Sequence, residues 1–75
     1  MPNDVRAKVA AEVRAEMARQ GVTQRTLADA IGMVQPSLQK RLAGTRPFRV
    51  DELISIAAVL GVPAYRWVES VERAA

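Results

Sequence analysis

The sequence contains no cysteine and no histidine, and these two absences narrow the chemistry open to it. Without cysteine the chain has no means to form a disulfide framework or a thiolate metal site. Without histidine it lacks the residue type that most often serves as a general base or a metal ligand. These absences disfavour most enzyme classes, and we expect no catalytic residue, no metal site and no cofactor.

Aromatic residues are scarce at 4% of the chain, and no alternating run of β-branched or aromatic residues predicts a strand. The longest stretch without charge runs from Leu53 to Tyr65 and is broken by Gly61 and Pro63. It is shorter than the ~20 apolar residues that span a bilayer, and the N-terminus lacks the apolar core of a signal peptide. The cytosol is therefore the expected compartment.

The composition that remains is typical of a small globular domain made of helices. The chain has 75 residues, of which 49% are hydrophobic and 25% are charged, so residues 1–75 are expected to form one domain. A domain this small buries only ~60% of its unfolded surface, so dimerisation would add stability. Good helix formers fill the segments between Gly and Pro residues. The expected fold class is all-α, with five short helices.

Capping residues, glycines and apolar spacing predict where these helices and their core lie. The predicted helices run from Asn3 or Asp4 to Gly21, from Gln24 to Ile31, from about Gln35 to Ala43, from about Val50 to Leu60 and from about Ala64 to Arg73. The predicted core residues are Val5, Val9, Val13, Met17, Leu27, Ala28, Ile31, Leu38, Leu42, Leu53, Ile56, Ala57, Leu60 and Trp67. A dimer interface formed by Tyr65, Trp67, Val68 and Val71 stays open as an alternative.

Positive charge is concentrated in the N-terminal part of the chain. Residues 1–46 contain eight Lys or Arg against four acidic residues, a balance of +4, whereas residues 47–75 contain three against four, a balance of −1. A basic region beside a nearly neutral one favours a polyanionic partner on one side of the domain.

The stretch Thr23–Gly44 is the most informative part of the sequence, because its pattern predicts two helices that cross at a steep angle. Ala28 is small enough for a close approach of the second helix, and Gly32 permits the corner between the two. Leu38 and Leu42 anchor the second helix to the core. Such a corner projects the second helix outward, where it is able to enter a DNA major groove.

This segment resembles the helix-turn-helix of the phage Cro/repressor (XRE-type) DNA-binding family. The downstream segment from Leu53 to Val62 and the loop from Gly44 to Phe48 also resemble the corresponding parts of the family, and the resemblance covers about Val9 to Val68. It implies a compact five-helix, lambda-repressor-like domain whose helix-turn-helix unit spans about residues 23–44. It further implies that double-stranded operator DNA is the partner.

Two residues depart from the family pattern. Val34 stands where members usually carry Ser or Thr as the cap of the recognition helix, so packing or water is expected to hold that helix start. Arg41 stands where an apolar or aromatic residue is common, which is expected to free its side chain for a phosphate.

With Leu38 and Leu42 toward the core, helical geometry turns Pro36, Lys40 and Ala43 outward. Gln35 and Gln39 are predicted base-edge readers, because a glutamine amide bonds bidentately to adenine. Lys40 is predicted to read guanine or to hold a phosphate. Apolar atoms of Val34, Pro36 or Ala43 are candidates for contact with a thymine methyl group.

The remaining candidates lie beside this face. The resemblance implies a phosphate contact for Gln24, and Thr45 and Arg46 are expected to clamp the DNA backbone. Arg25 and Ser37 are further candidate contacts. The complete predicted DNA-binding set is Gln24, Arg25, Gln35, Pro36, Ser37, Gln39, Lys40, Arg41, Thr45 and Arg46.

Two other interpretations of the sequence compete with DNA binding. Ser37-x-x-Lys40 matches the Ser-x-x-Lys motif of acyl-transfer enzymes, but no second motif accompanies it, so no enzyme is expected. An antitoxin or anti-repressor that binds protein through the same fold is the open alternative. The favoured hypothesis is a small phage or bacterial transcription regulator in the bacterial cytosol, associated with the nucleoid. It would bind its operator as a homodimer and act by occlusion, without a small-molecule ligand and without a membrane.

Overall fold

The computed structural model describes the backbone of residues 5–74 and the side chains of residues 5–69. Within these residues the chain forms five helices and no strand: α1 Val5–Gln20, α2 Gln24–Ile31, α3 Gln35–Leu42, α4 Val50–Leu60 and α5 Tyr65–Ala74. The predicted all-α class with five helices is confirmed. The predicted caps Asn3 and Asp4 and the side chain of Val71 lie outside the described residues.

The observed helix boundaries agree most closely with the predicted ones where a local sequence signal ends the helix. Both α2 and α4 begin and end at the predicted residues. The third helix ends one residue before the predicted Ala43, which is its C-terminal cap and still donates its backbone N–H to the Gln39 carbonyl over 2.9 Å. The fifth helix is shifted by one residue at each end, because Ala64 belongs to the turn that precedes it.

The core forms where apolar faces from all five helices meet. α1 packs against α3 and α5, and α2 packs against α3 and α4. Most of the predicted core residues are buried, while Val5 and Ile31 are half-buried at its edge. The buried residues are Val9, Ala10, Val13, Met17, Leu27, Ala28, Leu38, Leu42, Leu53, Ile56, Ala57, Leu60 and Trp67.

The two aromatic residues of the C-terminal helix have opposite environments. Trp67 is 3% exposed and packs in the core, whereas Tyr65 is 67% exposed. The indole of Trp67 therefore has almost no surface to offer to a second copy of the chain. Among the residues that the structure describes, no helix combines the length and the hydropathy needed to cross a membrane.

Candidate nucleic-acid interface

The first helix of the predicted unit, α2, is closed by its own flanking residues. The Oγ1 of Thr23 accepts a hydrogen bond from the backbone N–H of Thr26 over 3.1 Å, so it satisfies one of the free N–H groups at the helix start. Gly32 ends the helix in the left-handed conformation, at φ +71°. Because a side chain is strained there, glycine is the residue that this corner requires.

The corner leads directly into α3. After Gly32 the backbone N–H of Met33 donates to the carbonyl of Ala28 over 3.0 Å, which closes the end of α2 and turns the chain. Val34 then takes an extended conformation, and α3 begins at Gln35. α2, the corner and α3 thus follow one another closely, in the order that the sequence predicts.

The third helix has one face in the core and one in solvent. Leu38 and Leu42 are buried, as predicted, and lie against residues of α1 and α2. The predicted base readers Gln35, Gln39 and Lys40 are all exposed. Pro36 and Ala43 are exposed as well, whereas Ser37 is half-buried at the edge of this face. No segment among the described residues covers the outward face of α3.

The C-terminal end of α3 is held by residues from other parts of the chain. Arg14 of α1 donates from Nη1 to the carbonyl of Leu42. The carbonyl of Lys40 accepts from the Thr45 hydroxyl over 2.9 Å, and from the backbone N–H groups of Thr45 and Arg46 over 3.1 and 3.3 Å. Carbonyls that a helix end leaves free are thus satisfied, and the predicted clamp residues are tied to the helix they follow.

Gly44 places this loop against the first helix. Its φ is +82°, and a Cβ atom built on it would lie 3.3 Å from the backbone Cα of Ala7. A side chain at residue 44 would therefore combine an unfavourable backbone conformation with a tight contact. This close approach fixes the position of Thr45 and Arg46 relative to the rest of the fold.

Arg41 differs from the other predicted contacts, because its guanidinium already has partners within the chain. Its Nε lies 3.0 Å from Oε1 of Glu52, and its Nη1 donates to the carbonyl of Ser37 over 3.0 Å. Both charged side chains are only 16% exposed. The expectation of a side chain left free for a phosphate therefore does not match the structure, since the neighbouring helix α4 supplies a carboxylate at this point.

The same carboxylate also organises the start of α4. Oε1 of Glu52 accepts the backbone N–H of Arg49 over 2.8 Å, which satisfies a free donor at the helix start. Within the described residues, no Cα atom of α3 comes within 8 Å of one in α4. The Arg41–Glu52 ion pair is thus a side-chain bridge between two helices whose backbones are not adjacent.

The remaining predicted contacts lie in the first turn of α2, on α3 and in the loop that follows α3. Gln24 is exposed in the first turn of α2 and lines a shallow cleft together with Gln39 of α3. Arg25, Lys40 and Arg46 are exposed, and none of the three forms an ion pair within the described part of the chain. These three side chains are thus exposed cations without an ion-pair partner among the described residues, and the cleft brings the amides of Gln24 and Gln39 to one surface.

Sequence reasoning missed two residues that shape this site. Neither Arg14 nor Glu52 is among the predicted DNA-binding residues. Arg14 contacts a residue 28 positions away, and Glu52 contacts one 11 positions away. A signal existed for Glu52 alone: an acidic residue at the third position of a predicted helix is typical of a side chain that caps the helix start.

Comparison with known proteins agrees with this geometry. The profile of the helix-turn-helix family matches residues 13–67, which is more than half of the chain and includes α2, the corner and α3. No curated protein matches the chain. The protein thus belongs to the helix-turn-helix family of the XRE (Cro/repressor) type, a family of regulators that bind double-stranded DNA.

Proposed function

We propose that this protein recognises a specific operator sequence by placing α3 in the major groove of double-stranded DNA. The observation that carries the proposal is the division of α3 into two faces: Leu38 and Leu42 anchor it, while Gln35, Gln39 and Lys40 are exposed. Exposed amides are free to bond to base edges without first breaking a bond inside the protein. An α-helix fits the width of the major groove, where each base pair has its own donor and acceptor pattern.

The proposed readers are matched to different bases. The amides of Gln35 and Gln39 would bond to N6 and N7 of adenine, and Lys40 would bond to O6 or N7 of guanine. Pro36 and Ser37 lie on the same side of the helix and would contact the groove wall or a neighbouring base. We expect one helix to read only a few base pairs, so affinity needs contacts beyond these side chains.

Contacts to the DNA backbone would supply the remaining affinity and fix the register. Gln24 and Arg25, exposed in the first turn of α2, would meet one strand, and Arg46, exposed in the loop after α3, would meet another phosphate. The Thr45 hydroxyl donates to the Lys40 carbonyl, so we assign it to holding the loop. We likewise assign Arg41 to positioning α3, because Nε and Nη1 of its guanidinium are engaged.

A homodimer on DNA would carry two recognition helices to two half-sites about one helical turn, or ~34 Å, apart. The fold measures 34 × 24 × 21 Å, and two copies placed end to end along the longest of these axes would have centres about one DNA turn apart. A dimer of this size would cover the operator and exclude polymerase from an overlapping promoter. Repression by occlusion is therefore the proposed mechanism.

Selection of binding sites from random duplex DNA tests the proposal directly. We expect the selected sequences to share a two-fold symmetric site, and fluorescence anisotropy then gives the affinity of each variant for it. Lys40→Ala is expected to weaken binding by ~1–3 kcal/mol, about 5- to 150-fold. Arg19→Ala removes the same charge from a residue paired with Glu16 on α1, and it is the matched control.

The Gln35→Ala variant tests whether α3 contributes to the base-sequence specificity of binding. We expect the variant to lose its preference at one position of each half-site and to keep the others, because only one set of base contacts is removed. An unchanged sequence profile would exclude Gln35 as a reader. If no duplex is bound at low salt, where phosphate contacts are strongest, the proposed function is wrong and a protein partner becomes the better explanation.

A further inference from the structure

Val34 is an unusual residue for the place that it occupies. It is the N-terminal cap of α3, its side chain makes no capping hydrogen bond, and it is 68% exposed. The equivalent residue of α2, Thr23, makes the expected capping bond through its hydroxyl. One helix of the unit therefore begins with a favourable cap, and the other begins with an exposed aliphatic side chain.

The fold gains little from a valine there. Val is among the poorest N-cap residues, because it offers no oxygen to the free N–H groups of the first turn. The contacts that start α3 are made by the Val34 backbone carbonyl, which accepts from Ser37 and Leu38 over 3.1 and 3.2 Å and would do so with any side chain. Residues that break a local rule without a structural gain are concentrated at functional sites.

The surroundings of Val34 indicate what such a side chain would meet. It directly precedes Gln35 and lies two residues before the exposed Pro36, so the tip of α3 presents apolar atoms beside an amide. Among the four DNA bases, thymine alone places an apolar group in the major groove, its C5-methyl. An exposed aliphatic side chain at the tip of a recognition helix is chemically suited to that methyl group.

We propose that Val34 is a specificity-determining residue that packs against the C5-methyl of a thymine in each half-site. The inference rests on the proposed function, because it requires α3 to enter the major groove. It adds a preference that hydrogen bonding does not provide, since the methyl is the feature that separates thymine from uracil. Val34 thus favours recognition at the expense of an optimal helix start.

Replacement of thymine by deoxyuridine, one position at a time in the selected duplex, tests the inference. Deoxyuridine keeps every hydrogen-bonding group of thymine and lacks only the methyl. We expect the native protein to lose about three- to fivefold in affinity at one thymine of each half-site, the effect of leaving one methyl-sized group unburied. The Val34→Ser variant should bind the thymine and deoxyuridine duplexes equally at that position.

Thermal unfolding of the same variant provides a second measurement. Serine would cap α3, so we expect Val34→Ser to raise Tm by about 2–8 °C while it weakens operator binding. Val59→Ser is the matched control: it replaces another exposed valine, in α4, and should leave operator affinity and the deoxyuridine effect unchanged.

Three outcomes would overturn the inference. One is a native protein that tolerates deoxyuridine at every position, another is a Val34→Ser variant that keeps the full deoxyuridine effect, and the third is a selected site without a shared thymine. In each of these cases operator binding itself persists, so the proposed function stands. Absence of binding to any duplex is a different result and would remove both proposals together.

Discussion

The two helices of the helix-turn-helix differ in how their ends are stabilised. The ends of α2 are closed by the adjacent residues Thr23 and Gly32, so its boundaries depend on local sequence alone. The start of α3 has no side-chain cap, and its last carbonyls are bonded by Arg14 and Thr45 from outside the helix. A locally closed helix forms a scaffold, whereas a helix held from outside has its orientation set by the rest of the fold.

This difference suits the proposed roles of the two helices. The residues that hold α3 lie on α1, on α4 and in the following loop, so three elements determine where its exposed face points. Recognition of bases needs side chains placed within a fraction of an ångström, and such placement depends on rigid support around the site. The outward side chains of α3 are then left free for DNA.

Removal of the core anchor of α3 should have the largest effect. Leu38 is fully buried, and Leu38→Ala is expected to lower the free energy of unfolding by ~2–5 kcal/mol, because it removes apolar contacts and leaves a cavity. Urea denaturation measures this loss. The exposed Gln39 is the control on the next residue of the helix, and Gln39→Ala should change stability by less than about 0.5 kcal/mol.

Loss of the bridge between α3 and α4 should have an intermediate effect. Arg41→Met keeps the aliphatic stem and removes the charge, and we expect a loss of about 1–2 kcal/mol, because a half-buried carboxylate loses its charged partner. Operator affinity should fall as well, since α3 is less firmly oriented.

A double-mutant cycle with Glu52→Gln measures the interaction energy between Arg41 and Glu52, apart from the contacts that each makes with other residues. Coupling of at least ~0.5 kcal/mol between the two substitutions is expected for residues in direct contact. Additive effects on stability would show that the bridge does not support α3, and α3 would then depend on its core contacts alone.

Loss of a local cap should have the smallest effect of the three. Thr23→Ala removes the oxygen that accepts from Thr26, and the expected loss in unfolding free energy is ~1 kcal/mol. Val34→Ala, the same truncation at the start of α3, should be nearly neutral because no capping bond exists there. Equal losses in the two variants would contradict the contrast between a locally closed helix and one held from outside.

The contrast also explains which features the sequence predicted. The bounds of α2 and α4 follow from signals within a few residues, such as Thr23, Gly32 and Gly61, and the structure confirms both helices. The outward face of α3 follows from helical periodicity once Leu38 and Leu42 are assigned to the core. Local helix-capping signals and the helical period are sufficient to predict these features.

The partner of the Arg41 side chain could be identified only from the structure. Its pairing with Glu52 depends on the angle between two helices, which is set by the summed packing of the core and not by any motif. The bonds from Arg14 to Leu42 and from Gln20 to the carbonyl of Leu60 likewise join residues 28 and 40 positions apart. Sequence periodicity identifies a polar residue on a face, but it does not say whether another helix brings it a partner.

The burial of Trp67 has a practical consequence for every experiment above. The chain has a single tryptophan, and its ring lies in the core and not among the proposed DNA contacts. Indole emission is therefore an internal reporter: it should shift to longer wavelength when the core opens to water and stay constant when DNA occupies α3. One fluorescence titration thus distinguishes a variant that has lost its structure from one that has lost only its target.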